Sequence, residues 1–166
     1  MADRDPQIGR NYPAYEVDYA AWLDAQVDAL RDGRFDALDL EHLIDEVADL
    51  GLSSYKAFVS ALRVVLLHML KWDIQHDHHS RSWIDSIDEH RNRVRDELEH
   101  SPSYRSRLAE ALPRAYRQAR AEAAAETRLP LKRFPETCPF TFDEIMTREH
   151  HLRDVPPGEL PEPLDE

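Results

Sequence analysis

The stretch HMLKWDIQHDHHSRSW, residues 68–83, concentrates side chains that could bind a metal ion or transfer a proton. It holds four of the nine histidines and two of the three tryptophans in the chain. A zinc site needs three or four ligands at suitable spacing. His76 and His79 are three residues apart, but His78 points elsewhere on a helix, and no second ligand cluster follows. We therefore expect HDHH to connect two helices, and we expect no metal and no cofactor.

Other catalytic patterns are incomplete in this chain. Glu97 and His100 form one Glu-x-x-His pair, whereas a helix-bundle di-iron site needs two such pairs and two further carboxylates. Cys138 stands between Thr137 and Pro139 without an adjacent base, and no Gly-rich phosphate loop or Gly-x-Ser-x-Gly motif is present. The sequence names no reaction, and the balance is against an enzyme.

Helical periodicity dominates the first third of the chain. Apolar residues recur at i, i+3 and i+4 after two candidate N-caps, Asp18 and Asp39, and each run ends at a glycine, Gly33 or Gly51. Such stripes normally face a core. They comprise Tyr19, Trp22, Leu23, Val27 and Leu30 in the first helix, and Leu40, Leu43, Ile44, Val47 and Leu50 in the second.

The middle of the chain predicts a buried helix followed by amphipathic ones. A third helix follows Ser53 or Ser54 and extends to about residue 72, and apolar side chains surround almost its whole circumference, so we expect it to be largely buried. A fourth begins after Ser80 or Ser82, which could cap it. Ser101-Pro102 opens a fifth, which Pro113 should kink or break. That helix carries a seam of small residues, Ala115, Ala119 and Ala123, with Leu112 and Tyr116 beside it.

Towards the C-terminus the pattern changes. LPLKRFPETCPF, residues 129–140, is punctuated by prolines and should wrap over the domain in an extended form. Thr141 and Glu144 fit a capping box for a short last helix. We predict an all-α, single-domain bundle of five to six helices over residues 15–147. Residues 1–14 form an N-terminal arm, and residues 148–166 form an acidic, proline-rich tail that we expect to be disordered.

Composition limits the class of protein. The single cysteine gives no sign of an oxidising compartment, the N-terminus does not resemble a signal peptide, and the longest apolar stretch is shorter than the roughly 20 residues that span a bilayer. These features favour a cytoplasmic protein without a membrane segment. Charge balances of −10, +5 and −7 over residues 1–90, 91–133 and 134–166 give a net −12. The overall negative charge argues against nucleic acid as a partner, and the segregation favours packing of basic beside acidic helices within the fold or a dimer.

Some charged or titratable residues lie on faces that should be buried. Arg63 and His68 lie among the apolar residues of the third helix, Arg91 interrupts the stripe of the fourth, and Glu46 flanks the stripe of the second. A buried charge needs a partner, because leaving it unpaired costs several kcal/mol. We expect Glu46 to pair with Arg63 or Arg91. The four residues form either an internal polar network or the lining of a polar cleft.

Several stretches together resemble a bacterial family of small proteins, domain of unknown function family 29. They are YEVDYAAWL, GRFDALDLEHLIDEVADLG, LRVVLLHMLKW, SRSW, AYRQAR and FPETCPF, and the resemblance covers about residues 15–146. It implies a helical fold and no known activity, and HDHH departs from its pattern. The matching positions are Asp18, Trp22, Asp39, Glu46, His68, Lys71, Trp72, Ser82, Trp83, Arg91, Tyr116, Arg120, Pro135, Cys138 and Pro139.

Two hypotheses about function follow. The first is a cytoplasmic helical interaction module that forms a homo-oligomer or binds another protein, and the alanine seam and the segregated charge favour it. The second is a hydrolase or nuclease-like enzyme whose candidate residues are Glu46 as acid, His68 as base and Arg91 as anion-binding group, with Lys71 beside them. Convergence of these side chains in a solvent-reached pocket would favour the enzyme.

Overall fold

The structure, a computed structural model, describes residues 15–152. All regular structure within this range is helical, so the prediction of an all-α fold is confirmed. The chain divides into two compact units, Met1–Ser53 (unit 1) and Ser54–Glu166 (unit 2). The α-helices of the described range are α1 (Tyr19–Arg31), α2 (Leu40–Ile74), α3 (Arg81–His100), α4 (Leu108–Thr127) and α5 (Phe142–Thr147).

Unit 1 contains α1, a short 3-10 turn at Phe35–Ala37 and the first part of α2. The carboxylate of Asp18 accepts the backbone N–H of Ala21 at 3.0 Å, which caps α1 as the sequence predicts. After α1 ends, Gly33 adopts a φ of 68°, a backbone conformation that favours glycine. The chain then turns through the 3-10 segment into α2.

One helix, α2, replaces the two that we predicted on either side of Gly51. The prediction was wrong because a helix-interior glycine costs only about 1 kcal/mol, and no left-handed residue interrupts α2 there. By length and composition α2 could span a membrane, but 44% of its most apolar window is buried inside this chain. The core helix of a soluble protein passes the same test. From Tyr55 onward α2 supplies more of the buried core of unit 2 than any other helix.

The core of unit 2 forms where α3, α4 and the C-terminal segment pack against α2. The alanine seam of α4 is fully buried in it. Small side chains let neighbouring elements approach closely, so the seam serves the protein's own core and gives no support to an external interface. Large buried side chains outside α2 are Ile87, Val94, Leu98, Tyr104, Tyr116, Phe134 and Ile145.

The start of α3 and the region around α4 differ in detail from the sequence prediction. Ser80 occupies the N-cap position of α3, but its hydroxyl bonds to that of Ser82 at 2.9 Å and does not cap the backbone. A 3-10 segment, Pro102–Arg107, precedes α4. Pro113 lies inside α4 without ending it. Proline removes a single helix hydrogen bond, and the buried alanines on either side of Pro113, Ala111 and Ala115, hold the helix in the core.

The segment that follows α4 wraps over unit 2 as predicted. Phe134 is 1% exposed, and Leu129 and Phe140 pack against the core. The hydroxyl of Thr141 accepts the N–H of Glu144, and the Glu144 carboxylate accepts the N–H of Thr141, so the predicted capping box of α5 is confirmed. The predicted N-terminal arm, and residues 153–166 of the predicted tail, lie outside the described range.

Candidate functional site

Glu46 is held by two tyrosines of unit 1. Its carboxylate accepts the hydroxyl of Tyr15 at 2.5 Å and that of Tyr19 at 2.9 Å. These bonds lower the pKa of Glu46, and the bond to Glu46 raises the pKa of Tyr15 to about 12. A carboxylate with a lowered pKa stays ionised at neutral pH and is a poor proton donor. This argues against Glu46 as a general acid.

The other polar residues of unit 1 form a second set of bonds around Asp39, which is 3% exposed. Its carboxylate accepts the indole N–H of Trp22 at 3.2 Å and contacts Nδ1 of His42 at 2.9 Å. The bond to Asp39 raises the pKa of His42. The Gln26 side-chain oxygen accepts the backbone N–H of Asp39 at 2.7 Å. The unit 1 polar network thus comprises Tyr15, Tyr19, Trp22, Gln26, Asp39, His42 and Glu46.

Arg63 and Lys71 form ion pairs between α2 and α4. Arg63 bonds to Glu122, and the Nζ of Lys71 lies 2.7 Å from the carboxylate of Glu126. The same Nζ lies 4.5 Å from the ring centroid of Trp83, within the range of a cation–π contact. In both pairs the basic residue lies on α2 and the acidic residue on α4, so they do not test the expectation that the basic segment 91–133 packs beside acidic helices. The expected pairing of Glu46 with an arginine is wrong, because Arg63 and Arg91 have other partners.

Arg91, which is 6% exposed, fastens the end of the described chain to α3. Its guanidinium donates to the carbonyl of Ile145 at 2.7 Å and to that of Arg148 at 2.8 Å. Arg148 makes two bonds, 2.9 and 2.5 Å long, to the carboxylate of Asp73. The side chain of His150 is buried against Trp72, with ring centroids 5.2 Å apart. Residues 148–150, the start of the predicted tail, therefore pack on unit 2.

His68 lies beside the ring of Trp83, with a centroid distance of 6.3 Å. Burial and the nearby positive charge of Lys71 lower the pKa of His68 to about 4, and its Nδ1 is buried without a hydrogen-bond partner in the described chain. The ring is neutral at pH 7. A general base works best with a pKa near the operating pH, so this environment is unfavourable for the base role that the enzyme hypothesis gave it.

HDHH connects α2 to α3 as predicted, through a 3-10 turn at His76–His78. His76 and His78 are exposed. His79 differs from them: its ring stacks on Trp72 at 3.8 Å, and its Nε2 lies 2.8 Å from the Trp72 carbonyl. Within residues 15–152 no group of three or more histidine, cysteine, aspartate or glutamate side chains could hold a metal ion.

The feature that sequence reasoning missed is an apolar surface on unit 1. Of the twelve exposed large hydrophobic residues in the described chain, ten lie in residues 15–53. The stripes of α1 and α2 that we expected to be buried are largely on the outside, and only Trp22 among their members is buried. We call this set the unit 1 apolar face: Val17, Tyr19, Leu23, Leu30, Phe35, Leu40, Ile44, Val47, Leu50 and Leu52.

One protein-family model matches nearly the same residues as those that the structure describes. A family model described as domain of unknown function DUF29 matches residues 14–151. The chain belongs to the DUF29 family. The resemblance inferred from the sequence is therefore confirmed. No curated protein and no solved structure matches the chain.

Membership of DUF29 gives the chain a family but no activity, so the function has to be argued from the surfaces of the molecule. The DUF29 match covers the unit 1 apolar face as well as the core of unit 2. The candidate catalytic residues are each engaged in separate contacts: Glu46 with tyrosines, Lys71 with a glutamate and Arg91 with backbone carbonyls. Nothing in these contacts favours a hydrolase or nuclease.

Proposed function

We propose that this DUF29 protein is a cytoplasmic helical interaction module that forms a homo-oligomer through the unit 1 apolar face. The observation that carries the proposal is the concentration of exposed large hydrophobic residues on this one unit. Their exposed fractions run from 38% for Leu23 to 82% for Val17. Large contiguous apolar patches on a protein surface mark sites of association.

The energy available from this face is sufficient for association. Burying a large aliphatic side chain gains about 1.5–3 kcal/mol, and about 1–2 kcal/mol remains for residues that are already partly buried. Eight of the ten residues of the face are aliphatic, and their burial on each of two copies can offset the cost of association, about 4–15 kcal/mol.

A second copy of the chain fits this face because two helices present it together. Leu40, Leu43, Val47 and Leu50 are spaced by three, four and three residues, the spacing at which apolar residues form a seam between packed helices. Two such pairs related by a two-fold axis would bury their seams in a four-helix arrangement, in which the same patch serves both copies. Glu46 of the unit 1 polar network flanks this seam, and its carboxylate is held by the hydroxyls of Tyr15 and Tyr19.

Charge gives this assembly a distinctive dependence on salt. Residues 15–53 carry eleven acidic and two basic side chains, a net charge of −9. Two copies that meet through this unit repel each other at low ionic strength, and salt screens the repulsion. Self-association should therefore strengthen as salt is added. Binding of a basic partner to the same face would weaken instead.

Sedimentation equilibrium over a wide range of protein concentration tests the proposal. We expect species larger than the 19.4 kDa chain, and we expect their proportion to rise with salt. Ile44→Asp combined with Val47→Asp should shift the protein to the monomer without lowering its helix content, because both side chains are exposed. Leu131→Asp is the matched control, since Leu131 is 46% exposed but lies in unit 2, and this variant should still associate.

A wild-type protein that stays at the mass of one chain at every concentration and salt would overturn the proposal. An oligomer that survives the Ile44→Asp and Val47→Asp substitutions would place its interface elsewhere on the molecule, and it too would refute the assignment to unit 1.

A further inference from the structure

Unit 2 contains a cavity that the interaction module does not use. It has a volume of about 460 Å³ and lies between α4 and the segment after Phe134. Two stretches of the sequence form its opposite sides, AYRQAR at residues 115–120 and FPETCPF at residues 134–140. Small-molecule sites in proteins are typically cavities of about 300–1,000 Å³ with mostly apolar walls and a few polar groups.

Three hydrogen bonds hold the two sides in place. The hydroxyl of Tyr116 donates to the carbonyl of Pro135 at 2.7 Å. The guanidinium of Arg120 donates to the carbonyls of Phe134 at 3.2 Å and Leu131 at 3.3 Å. These bonds fasten the segment to α4 at the start of FPETCPF, and the cavity lies beside them. It is therefore bounded by fixed elements within unit 2.

The walls of the cavity are mainly apolar. Leu112, Pro113 and Phe140 contribute hydrocarbon, and Cys138 contributes a thiol whose pKa is raised by burial. A raised pKa keeps this sulfur neutral. The hydroxyl of Tyr116 is neutral too, because burial raises its pKa to about 12. An apolar group that enters the cavity would thus meet no buried anion from these two residues.

Positive charge lines the cavity beside this apolar wall. Arg117 lines it and is exposed, and it has no hydrogen-bond or ion-pair partner among the described residues. Arg120 lines it as well, and its two carbonyl partners leave its positive charge uncompensated. Glu136 is the one acidic residue of the lining, and it is exposed. Two arginines against one glutamate favour an anionic ligand.

We propose that this cavity binds a small amphipathic anion: an apolar chain or ring that carries one carboxylate. The apolar part lies against Leu112, Pro113 and Phe140, and the carboxylate accepts hydrogen bonds from Arg117. The site belongs to unit 2 and does not depend on self-association through unit 1.

Cys138 provides a local reporter, because it is the only cysteine of the chain and it lines the cavity. The rate at which uncharged N-ethylmaleimide modifies it can be measured with octanoate as the probe, and with octanol and octylamine as matched compounds of the same chain length. Octanoate should slow the modification at concentrations about tenfold lower than octanol, the preference that one charge-assisted hydrogen bond supports. Octylamine should give the least protection.

Two variants and one control make the test specific. Arg117→Gln should remove the preference for octanoate over octanol, and Leu112→Trp should fill the cavity and remove protection by both. Arg133→Gln is the control, since Arg133 is exposed and does not line the cavity, and it should behave like the wild type. Thermal melting of each variant confirms that it is folded.

Equal protection by the three compounds would overturn the proposal, as would a preference for octanoate that persists in Arg117→Gln. Neither result bears on self-association, because the modification rate of Cys138 reports on unit 2 and sedimentation reports on the face of unit 1.

Discussion

Acid should destabilise this protein through His150, and the effect can be isolated from other titrations. Burial, together with the neighbouring charges of Arg91 and Arg148, lowers the pKa of this imidazole to about 4, while Asp73 opposes the shift. In the unfolded chain the pKa is about 6.5. As pH falls, the unfolded state takes up the proton first. The contribution of His150 is therefore fully present above about pH 6.5 and is lost as pH falls towards 4.

The size of the effect follows from the shift in pKa. A change from 6.5 to about 4 corresponds to at most about 3.5 kcal/mol, since one pKa unit is worth about 1.4 kcal/mol. The ring of His150 is buried but lies near the end of the described chain, where local opening lets water reach the protonated imidazole and reduces the loss. We expect a loss of about 1.5–2 kcal/mol in the free energy of unfolding.

Urea unfolding of the wild type and of His150→Phe, at several values between about pH 7.5 and 4.5, measures this loss. Phenylalanine keeps an aromatic ring against Trp72 and does not titrate. The titration of carboxylates that both proteins share largely cancels. The unfolding free energy of the wild type minus that of His150→Phe should therefore fall by about 1.5–2 kcal/mol as pH falls. His78→Phe, which replaces an exposed histidine outside this contact, is the matched control. A difference that stays constant with pH would show that the His150 ring is solvated, and would refute the packing of residues 148–150 on unit 2.

Three further predictions concern single residues. Gly51→Ala should raise the free energy of unfolding by about 0.5–1 kcal/mol in urea, because an added Cβ meets nothing within 4 Å and alanine favours the helix; a decrease would mean that α2 is interrupted there. Arg91→Lys should lower the free energy of unfolding by about 2–3 kcal/mol, since lysine cannot donate to both backbone carbonyls in the same geometry. A variant with the urea midpoint of the wild type would contradict the two bonds. His79→Ser should lower the melting temperature through the loss of about 1 kcal/mol of stacking, whereas His76→Ser and His78→Ser should change stability by less than about 0.5 kcal/mol; equal effects of all three would refute the stack.

The sequence predicted the helical elements well where local signals determine them. The N-cap at Asp18 and the capping box at Thr141 and Glu144 are both formed, because each depends on residues within one helical turn. The prediction failed at Gly51, and the break that we allowed at Pro113 does not occur. Both residues disfavour a helix locally, and the continuation of α2 and α4 through them depends on packing along the rest of each helix.

The partners of the charged residues could not be predicted, for a different reason. Helix periodicity identified Arg63 and Arg91 as residues on mostly buried faces, and the family resemblance added Lys71. Each of the three has a defined partner. These partners are far away in the sequence. The glutamate that pairs with Lys71 is 55 residues away, and the one that pairs with Arg63 is 59 residues away. The two backbone carbonyls that bind Arg91 are 54 and 57 residues away. A backbone carbonyl is present at every position and leaves no mark in the sequence. The carbonyl-bound arginine was therefore invisible before the fold was known.

The amphipathic stripes of α1 and α2 show why the sequence could not locate the proposed interface. Periodicity predicts that one face of a helix is apolar, but it does not predict which element or partner packs against that face. In unit 2 the chain supplies the cover, and the alanine seam is buried in its own core. In unit 1, Asp39 bonds to Trp22 and Glu46 bonds to Tyr15. Most of the apolar stripe from Leu40 to Leu50 faces solvent. The same kind of pattern thus has two outcomes in one chain. The proposed self-association would bury the apolar surface of unit 1 that the described chain leaves exposed.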